Sequence, residues 1–599
     1  MDYVFNPISN KLPSGASKAG DEVSYALKIS RFCRCDEVYI MLQDDSDNKK
    51  FKIKMPLHTN DEKFYEFRAR ITYDKPGLYW YHFLVKNGGN LIYLCKTQQF
   101  DIEPQSSVTS SFAQTVYEKD TIVDASYQRG VIYHIFIDRF RKSGNIECKD
   151  GMILRKDWGG QIDKYSDDFL VLNLECFGGN LRGITEKLAY IKSLGVTTIY
   201  LSPIFESYSY HKYDTANYEK IDSMFGGEEA FAQLIKTAKQ QGMSVLLDGV
   251  FNHVGSDSIY FNKLNRFNTV GAFQSKKSKY YDWFKFEKYP HKYTSWWDID
   301  TIPQFNANSQ TLQDYFCGPK GVIAKHMKSG ILGFRLDVVD EITDNYLNPL
   351  CQAIKRGKSD ALVLGEVWED AATKIAYSKR RHYFSGNQLD SVMNYPLKNS
   401  IIDFVLYGNS DGLASTMFML KDHYPKFALN TLMNFLGTHD TKRILSIFTD
   451  FLANNHRKAD AFDMLKLASA LQYCSPGVPA VFYGDEVGIQ GGEAPFCRVC
   501  FPWGTEDKNI LEWYKKLGKL RSLDVFIDGE VNVLLAHNGV FVLERKNETT
   551  RIVVAANCSW EDFKLNLSAH MKDFLTSKPI KDSVVLKSYE FVILTQILK

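Results

Sequence analysis

From about residue 130 to residue 492 the chain repeats one pattern. A short apolar run is followed by a longer stretch, mostly amphipathic, and then by another apolar run. The runs are "VIYHIFI" (131–137), "TTIYLSPIF" (197–205), "SVLLDGVF" (244–251), "ILGFRLDVVD" (331–340), "ALVLGEV" (361–367), "LDSVMNY" (389–395), "LMNFLGTHD" (432–440) and "VPAVFYGDEVG" (478–488). Between the first two, Leu181, Ile184, Leu188, Ile191 and Leu194 recur at helical spacing and predict one apolar stripe. Alternating strands and helices imply parallel strands. Eight such units imply an α/β fold closed as a (β/α)8 barrel.

Several runs end in polar residues that an apolar interior cannot solvate. "DGVFNH" (248–253) ends the third with Asp248, Asn252 and His253. The fourth carries Arg335 and Asp337, the fifth Glu366 and Trp368, the seventh His439 and Asp440. In a barrel these C-terminal ends meet on one rim, so the polar residues are expected to share a water-accessible cleft.

Residues two apart on a strand share a face, so Gly333, Arg335 and Asp337 point the same way. Arg335 is expected to lower the Asp337 pKa and keep that carboxylate ionised, as a nucleophile requires. Glu366 follows 29 residues later, on the next strand. The apolar face of Trp368 is expected to raise its pKa and make it a general acid. Adjacent strands lie about 4.8 Å apart. Retaining cleavage of a glycosidic bond uses two carboxyls about 5 to 5.5 Å apart. Asp440 is placed to hold sugar hydroxyls, with His253 and His439 beside it. Taken singly, each signal has a plainer reading. An Arg–Asp pair is often a structural ion pair, and a histidine near a strand end usually satisfies a local hydrogen bond. A metal cluster built on the histidines lacks the HxH or HExxH spacing that would support it.

The flanking regions differ in pattern. Residues 1–118 read as short Val, Ile, Tyr and Phe-rich strands separated by turns, an antiparallel β-sandwich, with "EPQSSVTSS" (103–111) as a linker. Residues 119–522 form the barrel domain. More than 50 residues follow the third strand, too many and too aromatic for a loose loop, so 254–307 are expected to form an inserted subdomain. Its tandem Trp296 and Trp297 suit a core or a binding surface equally. Residues 523–599 return to a β pattern and predict a small C-terminal sandwich.

A net charge of +2, with no long basic or acidic run, argues against nucleic acid or an anionic membrane as partner. No run of 18 apolar residues is present. The 11 scattered cysteines and the start "MDYVFNPISNKLPSG", without an apolar h-region, point to a cytoplasmic location. Cys497 and Cys500 are the only closely spaced pair singled out and are expected to be free thiols.

"DGVFNH", "GFRLDVVDE" (333–341), "GEVW" (365–368) and "FLGTHD" (435–440) resemble, in order, the four signature segments of the α-amylase superfamily of glycoside hydrolases. The resemblance covers roughly residues 128 to 520. It implies Asp337 as nucleophile, Glu366 as general acid/base and Asp440 as transition-state stabiliser. It assigns Tyr213, His253, Arg335, Trp368, His439 and Arg498 to substrate binding. "LSPIFESYSYHKYDTANY" (201–218), "IPQFN" (302–306) and Asp340-Glu341 resemble the neopullulanase, cyclomaltodextrinase and maltogenic amylase group. That group implies hydrolysis of α-1,4 bonds in cyclodextrins, maltooligosaccharides, starch or pullulan, and a homodimer formed through the N-terminal domain. Two departures stand out. Gln304 replaces a usual lysine, and Ala494-Pro495 stands where Asp-Pro is usual ahead of the arginine matching Arg498. No cofactor is required. Asn145, Glu147, Asp150 and Asn180 could supply oxygen ligands to a calcium ion, but they match the group's pattern only in part. A 4-α-glucanotransferase and a non-catalytic glucan-binding protein are the alternatives. The complete carboxylate set weighs against the second.

Overall fold

The computed structural model describes residues 2–162, 173–455 and 459–598. Eight barrel strands run in chain order: β1 (Val131–Ile135), β2 (Val196–Leu201), β3 (Ser244–Gly249), β4 (Gly333–Leu336), β5 (Leu362–Gly365), β6 (Ser391–Val392), β7 (Met433–Phe435) and β8 (Val478–Phe482). They pair in parallel in the order β6-β5-β4-β3-β2-β1-β8-β7. A parallel bridge between Met393 and Met433 joins the two ends and closes the barrel.

The period-two alternation of strand side chains sorts residues between two cores. Ile132, Tyr200, Leu246, Leu364, Phe435 and Ala480 point inward and form a buried apolar layer inside the barrel. Tyr133, Ile199, Val245, Phe334, Val363 and Val481 point outward and pack beneath the helices. Two residues further along β3, β4 and β5, the inward positions are Asp248, Arg335 with Asp337, and Glu366. The apolar layer therefore becomes a polar one at the C-terminal rim.

The first helical stripe is two short helices, Leu181–Glu186 and Leu188–Ser193, with the break at Lys187. All five stripe residues are still buried, because the turn at the break preserves the face. After β3, residues 254–307 are held by small antiparallel pairs, including Phe286–Lys288 with Lys292–Tyr293 and the bridges Phe284↔Phe305 and Ser295↔Pro303. Phe261, Phe284, Phe286 and Tyr293 pack together within this insertion. The bridge His253↔Gln304 ties it to the end of β3.

The N-terminal region is two sheets, centred on Glu22–Ser30 against Phe64–Thr72, and on Gly77–Asn87 against Glu37–Asp44. Tyr25, Ile40, Tyr81 and Phe112 lie in the core between them. The expected linker at 103–111 is corrected in part. Ile102–Gln105 is an edge strand paired with Asn90–Lys96, and Phe112–Tyr117 is a further strand of the same sheet. The chain thus remains in the sheet until Tyr117. The C-terminal region is a six-stranded sheet built on Val540–Lys546 and Thr550–Asn557, faced by the pair Phe563–Asn566 and Ser583–Leu586. Among the described residues no helix is long and apolar enough to cross a membrane.

Candidate active site

The strand registers place the charged residues beside one another. Asp248 pairs in register with Arg335, and Arg335 with Leu364, one pair of residues before Asp337 and Glu366. Gly333 opens β4 with φ +154°, and a Cβ there would meet the Leu362 carbonyl oxygen at 2.0 Å. Only glycine lets β4 lie this close to β5. The Arg335 guanidinium is fully buried and joins three acids. Nη1 donates to Asp337 Oδ1 at 2.6 Å and to Asp248 Oδ1 at 3.0 Å, while Nη2 lies 2.9 Å from Glu366 Oε2. The candidate nucleophile and acid are thus held by one rigid fork on adjacent strands.

Glu366 Oε2 also accepts the Val338 N–H at 2.9 Å. Val338 has φ +40°, a left-handed conformation costly for a β-branched side chain. That turn aims its amide at Glu366 directly after Asp337. The expected contact between Glu366 and the apolar face of Trp368 is corrected. Trp368 stacks on Tyr395 with centroids 4.0 Å apart and presents its Nε1–H to Glu366 Oε1 at 3.3 Å.

Arg335 does act to lower the Asp337 pKa, as expected, but the expected net lowering is corrected. Burial is the largest influence and pushes the Asp337 carboxyl well up. Arg335 opposes this, but Glu366, Asp248 and Asp440 add to it. One guanidinium divided among three acids cannot neutralise them all. Burial and the three neighbouring acids together favour the neutral form of Asp337.

His439 and Asp440 lie four and five residues beyond β7, on a loop, so other side chains must hold them. Tyr213 donates its hydroxyl to Asp248 at 2.8 Å and lies 2.5 Å from His439 Nε2, with the two rings parallel. His439 Nε2 is also 2.9 Å from Asp440 Oδ2. Arg498 donates to the His439 carbonyl at 2.9 Å, to the Tyr210 hydroxyl at 2.9 Å and to Asp440 Oδ1 at 3.2 Å. Burial favours the neutral acid at Asp440, but His439, Arg498 and Arg335 outweigh it and hold the carboxyl well below the usual range. Sequence reasoning missed Tyr210, and the 288 residues separating it from Arg498 explain why. His253 is buried, which pushes its pKa down to about 4, and its ring lies 5.2 Å from that of Trp296.

These residues surround one open cavity of about 770 Å³. Asp337, Glu366, Asp440, Tyr213, His253, Trp368, His439 and Arg498 all line it, and Arg335 lies beneath. Trp296 and Trp297 line it too, and Trp297 is 74% exposed, so the core reading of the pair does not hold. Ala494 lines the wall near Arg498 with a methyl group where the resemblance leads one to expect a carboxylate.

Of the residues named for calcium, Asn180 has its side-chain amide engaged by the protein. Asn180 caps a helix, its Oδ1 accepting from Gly183 N–H and its Nδ2 donating to the Ser143 carbonyl. Asn145, Glu147 and Asp150 are exposed to solvent. Among the described residues no group of three or more His, Cys, Asp or Glu side chains is arranged to hold a metal. Cys497 and Cys500 are free thiols, and Cys497 donates to the His439 carbonyl at 3.0 Å.

The α-amylase catalytic domain family model matches residues 134–521. Cyclomaltodextrinase of Thermoanaerobacter pseudethanolicus is 31% identical over 92% of this chain and 92% of its own length. Amylopullulanase of Thermoanaerobacterium saccharolyticum is 30% identical over 96% of this chain, which spans 49% of that longer relative. Among solved structures, the type III pullulan hydrolase from Thermococcus kodakarensis superposes with a TM-score of 0.69 at 26% identity, covering 99% of this chain and all of its own. A barrel whose rim brings these acids to one cavity, and a family match spanning nearly all of that barrel, lead to one assignment: the chain belongs to the α-amylase family of glycoside hydrolases.

Proposed function

We propose that this enzyme hydrolyses α-1,4-glucosidic bonds in maltooligosaccharides and cyclodextrins with retention of anomeric configuration. The observation that carries the reading is the Arg335 fork joining Asp337 and Glu366 at the floor of the open cavity. Glu366, as general acid, delivers a proton to the glycosidic oxygen as the bond to C1 breaks. Asp337 attacks C1 from the opposite face and forms a glycosyl ester. Water then enters, gives its proton to Glu366, and releases the sugar with its original configuration. Asp440, kept ionised by His439 and Arg498, accepts hydroxyl protons of the distorted ring, and Tyr213 and Trp368 present aromatic surface to it.

Cyclodextrins and maltooligosaccharides are the favoured substrates on two grounds. The cavity is open at its mouth, and the relative matched along almost its whole length is a cyclomaltodextrinase. Proton NMR of maltotetraose cleavage tests the mechanism. The α-anomer appears first if the reading is right, and initial β-anomer overturns it. Asp337→Asn should lower turnover by at least 10³-fold, the scale on which loss of a catalytic nucleophile is felt. Its thermal unfolding should stay within a few degrees of the wild type. Reducing-end release at the wild-type rate would remove Asp337 from this role.

A further inference from the structure

Beyond the catalytic pair, the cavity mouth is shaped by a hairpin that the N-terminal region grips. The hairpin pairs Ile375–Ala376 with Lys379–Arg380. Tyr377 and Ser378 at its tip both have positive φ, as a tight two-residue turn demands. The tip brings the Tyr377 hydroxyl close to the Glu341 carboxyl, which accepts from Trp297 Nε1–H at 3.0 Å. At its base, Lys374 pairs with Asp340 at 3.0 Å and also with Glu369. Asp340, Glu341, Glu369 and Lys374 all line the cavity.

The far side of the hairpin belongs to a different region. Arg380 makes a two-point pair with Asp45, which follows the N-terminal strand Glu37–Asp44: Nε to Oδ2 at 2.8 Å and Nη2 to Oδ1 at 3.0 Å. Trp80 Nε1 donates to the same carboxylate at 2.8 Å. Both charged side chains are more than four-fifths buried. A bidentate, partly desolvated pair of this kind fixes geometry as well as contributing energy.

The chemistry identifies this wall. An acid that protonates a departing oxygen faces the departing sugar. Trp368 and Glu369 follow Glu366 directly and continue into Lys374 and the hairpin. The hairpin wall is therefore the leaving-group side of the cavity.

We propose that Asp45 is a positioning residue. Through Arg380 it sets the hairpin against Glu341 and Asp340, and so lets the N-terminal region of the same chain determine how well a leaving α-glucan segment is bound. The inference rests on the acid/base role of Glu366 given above.

Two substrates separate the two claims. Maltotetraose places sugars on the leaving side. α-Maltosyl fluoride departs as fluoride and reaches no hairpin residue. Asp45→Asn and Asp45→Ala should each lower kcat/KM for maltotetraose about 3- to 10-fold, mainly through KM, a range typical of couplings carried through a packed network. Turnover of α-maltosyl fluoride should be unchanged. Arg380→Ala should give the same loss, and the double variant Asp45→Ala/Arg380→Ala no further loss. The exchanged pair Asp45→Arg/Arg380→Asp should recover part of it. Equal losses on both substrates, or unchanged kcat/KM for maltotetraose in folded Asp45→Ala, would overturn the proposal. A wild-type enzyme inert toward both substrates would instead overturn the hydrolase reading itself.

Discussion

At the scale of single residues, the site assigns its cations separate tasks. Arg335 is spent on three acids at the floor. Arg498, expected to bind substrate, has donors on three protein acceptors and serves Asp440. Replacing Arg498 with Met removes one of the charges that hold the Asp440 carboxyl down. A depressed carboxylate pKa keeps the group ionised as pH falls, so its loss moves protonation to higher pH. The acid limb of the kcat/KM profile should therefore shift upward, and activity near pH 5 should fall about 10- to 100-fold, the scale of a misplaced catalytic group. Added guanidinium ion should restore part of the loss. An unmoved acid limb would mean that His439 and Arg335 hold Asp440 without Arg498. The identities of these residues were legible from "GFRLDVVDE", "GEVW" and "FLGTHD". Their partners were not: a sequence shows that Arg335 is near Asp337, but not that Glu366 and Asp248 compete for the same guanidinium. Burial, reinforced by these acids, reversed the expected direction of the Asp337 pKa.

At the scale of elements, the strand ends do more than carry catalysis. The turn after β8 buries Glu486, whose Oε1 accepts the hydroxyls of Tyr133 on β1, at 2.5 Å, and Tyr190, at 2.8 Å, from the helix Leu188–Ser193. Oε2 accepts the Gly484 N–H at 2.7 Å. Burial outweighs these donors and pushes its pKa up to about 7. A carboxyl whose folded pKa is raised contributes stability that is fully present below its unfolded pKa, about 4.3, and is lost as pH rises through the folded value. The cost grows to about 3 kcal/mol at alkaline pH. Glu486→Gln removes this titration, so the Tm of the variant relative to wild type should rise between pH 5 and pH 8. A difference that stays constant over that range would show that Glu486 is not protonated in the folded enzyme. The eight strands could be read in the sequence because alternation and spacing are local properties. The helix break at Lys187 and the short β6 could not, since neighbouring elements set where hydrogen bonding ends.

At the scale of the whole molecule, buried arginines and the Asp45–Arg380 pair bind the regions together. Arg545, in the C-terminal strand Val540–Lys546, is fully buried and, among the described residues, pairs with no acid. It donates instead to the carbonyls of Val525, Ser475 and Phe526 at 2.8 to 3.0 Å. Arg545→Met strands those three acceptors. The expected loss is about 3 kcal/mol, given roughly 1 kcal/mol or more for each buried acceptor left unpaired. Limited proteolysis should then release the C-terminal sheet before the barrel is cut, whereas simultaneous loss of both would mean that the sheet is not held by this residue. The sequence by itself determined the barrel, the flanking sheets and the residues on the catalytic rim, because strand periodicity, helical spacing and short motifs are encoded over a few neighbouring positions. Only the tertiary structure decided that Arg335 is shared, that Arg498 serves Asp440, and that the N-terminal region reaches the cavity mouth through Asp45. Each of these depends on side chains tens to hundreds of positions apart, whose meeting is fixed by packing and burial rather than by local pattern.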